Sequence, residues 1–268
     1  MPRRMNRPDK IKLYAYSLVR LAQRYRVAEA QIVRAYFREK RRPRDHLRWL
    51  KAQAFKEYSA IKPLLAGLEK LYPHVDKGID RHHYEELGEK LSDETRHATL
   101  IMDLIETISG QKLTPHDLLW LPEDRRLAKI RAHYSKTYAG FLHGSEAIRK
   151  KEVMRKDEEL ERAAITLTEG GGGALYAVCR NLNGNRLEEK IASVFAEIHS
   201  DEMRHKNAGA HELARLVRSR KNYRRAAQII RRVSEQRLRM RNEQFAFPLS
   251  KSRIKELERR LNSIPLEY

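Results

Sequence analysis

One short pattern, written twice, constrains this chain more than any other feature. Asp93-Glu94-Thr95-Arg96-His97 is matched by Asp201-Glu202-Met203-Arg204-His205. Glu and His at i and i+3 share one face of a helix, so each copy can aim a carboxylate oxygen and an imidazole nitrogen at a common point. The rest of the chain agrees with a helical setting. Charged residues make up 34%, and Gly and Pro are few and clustered. No run of alternating β-branched and aromatic residues bounded by turns is present, so the expected class is all-α.

Hydrophobic periodicity and breakers predict the helices. Residues 9–26 and 28–41 read as two short helices, either a plain helical hairpin or a helix-turn-helix DNA reader. Longer helices are expected over about 45–73, ending at Pro73, and 79–109, ending at Gly110. Residues 111–122 are irregular, with Pro115 and Pro122. A polar stretch over 123–152 reads as a crossover connection. Helices over 156–182 and 186–218 flank a turn at Asn181–Asn185, and the basic tail is helical to about 242 and again over 251–261. This divides the chain into a basic N-terminal helical extension (1–43), an antiparallel four-helix bundle (44–218) and a basic C-terminal helical extension (219–268).

Antiparallel four-helix bundles bind pairs of metal ions when two helices each give Glu-x-x-His and the other two each give one Glu. Residues level with one another in a helical hairpin lie about equally far from its turn. Around the turn at 74–78, Glu57 is level with Glu94. Glu69, the competitor, sits four residues from the turn and about 16 Å off level at 1.5 Å per residue. Around the turn at 183–186, Glu169 is level with Glu202. The expected metal ligands are therefore Glu57, Glu94, His97, Glu169, Glu202 and His205. A charged, solvated face is the plain alternative for a single Glu-x-x-His; the repeat with a level Glu in each half weighs against it.

These residues carry a resemblance. The order Glu, about thirty residues, Asp-Glu-x-Arg-His, all repeated, resembles the ferritin-like di-iron carboxylate superfamily over about residues 45–215. The resemblance implies a ferritin-like bundle with two iron ions, in which Glu94 and Glu202 bridge both. It also implies that Asp93 and Asp201 accept from the imidazole of the opposite half, fixing its tautomer. Arg96 and Arg204 would balance those carboxylates, or else be ordinary surface arginines. Members of this type include bacterial multicomponent monooxygenases and acyl-carrier-protein desaturases. The expected activity is O2-dependent oxidation of an organic substrate, with electrons from an external donor. A rubrerythrin-like peroxidase or iron-handling protein uses the same ligands. A nucleic-acid-binding protein with a structural metal is a third reading.

Four carboxylates and two imidazoles suit iron, or manganese, better than copper(I) or structural zinc. One cysteine, Cys179, excludes a disulfide within the chain and a rubredoxin-type site. Ile101 stands where ribonucleotide reductase small subunits place a radical Tyr, which argues against that function. Gly170, Gly171, Gly172 and Gly173 follow Glu169; they either open a pocket beside it or break the helix, at about 1 kcal/mol per glycine. Tyr58 and Tyr176 are near in sequence to the ligands, where core packing is their usual role.

The net charge of +20 is concentrated at the ends: +12 over residues 1–51 (16 Lys/Arg, 4 Asp/Glu), +11 over 215–268 (16 and 5) and −3 between them (24 and 27). Such ends attract an acidic macromolecule, for example a tRNA or a carrier protein bearing the substrate, or they are solvated helix faces. Arg224, Arg225, Arg231 and Arg232 are the candidate partner-binding cluster. No apolar run is long enough for a membrane span or signal peptide, so a cytoplasmic protein is expected.

Overall fold

The computed structural model describes residues 7–74, 81–135, 138–139, 142, 158–169 and 172–265. The described residues are helical, with no strand among them. In chain order the α-helices are α1 (Arg7–Phe37), α2 (Leu47–Leu71), α3 (Arg81–Ser109), α4 (Pro122–Tyr134), α5 (Glu158–Glu169), α6 (Gly172–Cys179), α7 (Arg186–Leu216), α8 (Arg220–Gln244) and α9 (Lys251–Asn262). Short 3-10 turns occupy Pro43–His46, Tyr72–His74 and Pro115–Asp117. No helix among the described residues is long and apolar enough to cross a membrane.

The chain divides into two compact units. One comprises residues 40–154 and 182–194; the other comprises 1–39, 155–181 and 195–268. In the first of these, α2 and α3 form an antiparallel hairpin. A Cβ on Gly67 would meet Leu87, and Glu57 lies beside His97, so the paired positions move in opposite directions along the two helices. Ala52, Ala54, Ala60, Ala66, Ala98, Ile101, Leu104 and Ile105 are buried. The four alanines on α2 keep its buried face small, which lets a second helix approach closely. Gly110 ends α3 at φ +68, the left-handed position that glycine adopts without penalty, and its N–H donates to the Glu106 carbonyl. Phe55 stacks on Trp120, and Arg125 caps the Trp120 ring from α4.

In the other unit α1 and α8 pack in parallel. Tyr14 stacks on Tyr223, Glu29 pairs with Arg241, and Tyr36 packs on Phe245, so contacts advance together along both helices. α9 returns antiparallel to α8: Arg239 holds Glu258, and Asn262 donates to Glu235. Ser219 and Ser250 cap α8 and α9 by accepting from the backbone N–H of Asn222 and Arg253. α5 and α7 are antiparallel, tied by the Arg162–Glu212 and Glu159–Arg215 ion pairs.

Two expectations change. α1 is one continuous helix where two were expected, because Arg26-Val27-Ala28-Glu29 contains no breaker and Ala28 and Glu29 bury against the unit. The helix-turn-helix reading therefore loses its turn. The helix expected over 156–182 is described over α5 and α6; its expected start and Gly170–Gly171 between them lie outside the described residues. The segments 1–43 and 219–268, expected as extensions beside the bundle, supply α1, α8 and α9, and buried side chains line all three. Of the crossover helix expected over 123–152, α4 accounts for Pro122–Tyr134, and most of the remainder lies outside the described residues.

Candidate metal centre

α2 and α3 bring Glu57, Glu94 and His97 together. One ligand atom from each lies within 4.8 Å of the others. Glu57 is 4% exposed and His97 is fully buried, while Glu94 is half-buried. Two carboxylates and an imidazole gathered in a low-dielectric interior form a donor set suited to a divalent ion of borderline hardness. Such burial is costly for carboxylates unless a cation or hydrogen bonds compensate. The residues present thus fit a metal ion on chemical grounds.

The cluster has internal order. His97 Nδ1 lies 3.9 Å from Glu57 Oε2. The other carboxylate oxygen, Oε1, accepts a 2.6 Å hydrogen bond from the buried Gln53 amide. Gln53 stands one turn before Glu57 on the same helical face, so the pair is a local consequence of helix geometry. Sequence reading missed Gln53; its signal was a polar residue between Ala52 and Ala54 in a buried stretch, four positions before a ligand. Arg96 Nη2 lies 3.6 Å from Asp93 Oδ1, as expected for a balancing cation. Glu69, the competing ligand, is exposed near the end of α2. Tyr58 is 37% exposed and Tyr176 packs on Phe195, so both behave as ordinary surface and core residues.

The second copy of the pattern lies in the other unit, on α5 and α7. The side chains of Arg204 and His205 lie outside the described residues. Neighbouring ion pairs show the direction of the two helices. Arg162 meets Glu212 and Glu159 meets Arg215, so α5 runs antiparallel to α7, with Glu169 at the end of α5 towards which Glu202 lies on α7. In the α2–α3 pair Glu57 is level with His97 and Glu94 lies about one turn away, which corrects the expected Glu57–Glu94 level by three residues. Asp201 is 6% exposed; Glu202 and Glu169 are half-buried. Gly172 and Gly173 open α6, and a Cβ added at the buried Gly173 would meet no described atom within 4 Å.

The proposed partner cluster divides. Arg224 and Arg232 are exposed on α8. Arg225 is half-buried and donates twice to Glu161, which is 3% exposed, and Arg231 donates to the Ile264 carbonyl. Those two arginines hold α8 in place and are not a solvent-facing patch, which corrects the fourfold cluster. Comparison with protein-family models, curated proteins and solved structures finds no match for the chain.

Proposed function

We propose that this chain is a ferritin-like di-iron carboxylate protein, a non-haem oxidase or oxygenase that uses O2 and electrons from an external donor to oxidise an organic substrate. The observation that carries the reading is the Glu57–Glu94–His97 group, gathered within 4.8 Å at the first copy of a pattern that the sequence writes twice. On this reading Glu57, Glu94, His97, Glu169, Glu202 and His205 hold two iron ions, with manganese the ion the same donors also accept. The ions, when bound, supply the electrons and the open positions that O2 reduction needs.

The chain's residues do the rest. Glu57 offers Oε2 inward while Gln53 holds Oε1. Ala98, Ile101, Leu104 and Ile105 are buried on the same helix as Glu94 and His97 and give it an apolar face. Arg96 offsets the charge of Asp93 beside them. The organic substrate is proposed to arrive on an acidic macromolecule, since the net charge is +20.

Metal analysis and oxygen uptake test this reading. The purified protein should hold about two metal ions per chain, mainly iron or manganese. Glu94→Ala and His205→Ala should each sharply lower occupancy. Reductant-driven O2 consumption should be lost with the metal. Rapid peroxide turnover without an organic substrate would redirect the reading to a rubrerythrin-like peroxidase. Full metal retention in both variants would remove its basis, and retained nucleic-acid binding in metal-free variants would favour a structural metal.

A further inference from the structure

α1 and α9 leave an open groove of about 490 Å³ between them, within one compact unit. Its floor is aliphatic, formed by Val27 on one side and Leu257 and Leu261 on the other, and Val27 is 49% exposed. Its edges are cationic, with Arg24 from α1 facing Arg253 and Arg260 from α9. The lining runs from Gln23 to Gln31 along α1, about 12 Å at 1.5 Å per residue, so it matches two turns of a second helix.

Among the described residues the unpaired exposed charge on α9 is positive. On α9 Lys251, Arg253, Lys255, Arg259 and Arg260 are exposed, while its two acids are committed: Glu256 pairs with Arg253 and Glu258 with Arg239. Glu29, the acid on α1 nearest the groove in sequence, is buried against Arg241. An aliphatic floor with Val27 exposed and Leu257 and Leu261 beneath it, set between arginines, selects a ligand that is apolar along one line and acidic on both sides of it.

We propose that this groove docks an acidic amphipathic helix of a partner protein. Its apolar stripe covers Val27, Leu257 and Leu261, and its flanking carboxylates face Arg24, Arg253 and Arg260. Helix-in-groove docking uses anchors at i, i+3, i+4 and i+7, and charges at the rim set specificity and approach rate. The aliphatic floor decides against nucleic acid, because a phosphate backbone would answer the arginines and leave Val27 uncovered. The inference is independent of the metal reading.

The test uses the full chain and a labelled synthetic peptide of about 14 residues, roughly four helical turns, with Leu along one face and Glu on the others. Fluorescence anisotropy should show saturable binding. Val27→Asp, and separately Arg253→Glu with Arg260→Glu, should each weaken it about tenfold, near 1.4 kcal/mol, with the protein's circular dichroism unchanged. A scrambled peptide of equal charge should bind at least tenfold more weakly than the amphipathic one. Absence of peptide binding would overturn the proposal. So would equal binding of the scrambled peptide, or an oligothymidylate that binds tighter than the peptide and ignores Val27→Asp.

Discussion

Gln53 Nε2 donates to Glu57 Oε1 at 2.6 Å, and both side chains are buried one helical turn apart. The bond leaves Glu57 Oε2 as the oxygen nearer His97. A carboxylate held by one oxygen presents the other as a single donor. We expect Gln53→Leu to free Glu57 and to weaken metal binding by about 10- to 100-fold, the usual cost of losing a group that orients a ligand. Competition titration with a chelator of known affinity measures this without any assay of turnover. Unchanged affinity would show that the hydrogen bond only satisfies a buried amide.

His46 makes stability depend on pH. It is buried just before α2, where its Nδ1 accepts from the Trp49 indole N–H at 3.2 Å. Burial lowers its pKa from 6.5 to about 4, with Asp45 opposing the shift and Arg41 adding to it. The unfolded chain therefore binds a proton near pH 6.5 that the folded chain refuses until about pH 4. The stabilisation is complete above pH 6.5 and is lost as pH falls towards 4. Urea unfolding at pH 7.5, 6.0 and 5.0 should show this decline, and His46→Leu should flatten it. Parallel curves for the two proteins would exclude His46 as the titrating group.

Glu29 and Arg241 form a buried ion pair at 2.7 Å, and Arg237 lies 3.8 Å from the other carboxylate oxygen. Glu29 is 2% exposed and Arg241 1%. Glu29→Ala strands two guanidinium groups in the interior and should cost about 3–5 kcal/mol, whereas replacing buried pairs wholesale with apolar residues is often tolerated. A double variant, Glu29→Leu with Arg241→Met, should recover part of the lost melting temperature. A single variant that melts like the parent would mean that water reaches the pair.

The elements legible in sequence were those with local signals. Gly110 marked the end of α3, and the breaker near Pro248 separated α8 from α9. The α2–α3 ligand group was legible because counting residues from the turn comes within one helical turn of the true level: it set Glu57 against Glu94, and the structure sets it against His97. The burial of α8 was not. Its arginines look like a solvated face until Glu29 and Glu161, far away in sequence, are seen to hold Arg241 and Arg225. Long-range pairing of this kind leaves no periodic trace. Continuity of α1 has no local signal of its own: residues 26–29 hold no breaker, and the burial of Ala28 and Glu29 carries the helix through.

Gly173 is buried among the first described residues of α6. An added Cβ would meet no described atom within 4 Å. Gly173→Ala should raise stability by up to about 1 kcal/mol through helix propensity alone. Gly173→Leu should keep metal content while narrowing the space next to Glu169. A loss of stability in the alanine variant would show that the backbone there needs glycine's freedom.

The revised basic cluster gives a separable test. Arg225 donates to the buried Glu161, so Arg225→Glu sets two carboxylates against each other and should cost about 1.5–3 kcal/mol, the worth of hydrogen bonds to a charged group. Arg224 and Arg232 are exposed, and Arg224→Glu with Arg232→Glu should leave metal content unchanged. If these side chains contact a polyanion, the double variant should bind it more weakly and lose up to about 1.8 from the slope of log affinity against log salt, or 0.9 per contact. An acidic carrier protein would instead show a shallower salt response set by screening. Titration against tRNA, duplex DNA and an acidic carrier protein at low and moderate salt distinguishes these cases. Salt-sensitive binding that the double variant leaves intact would move the interface away from this face of α8. Absence of binding to all three would identify the positive charge as a solvated surface that keeps the molecules apart by repulsion.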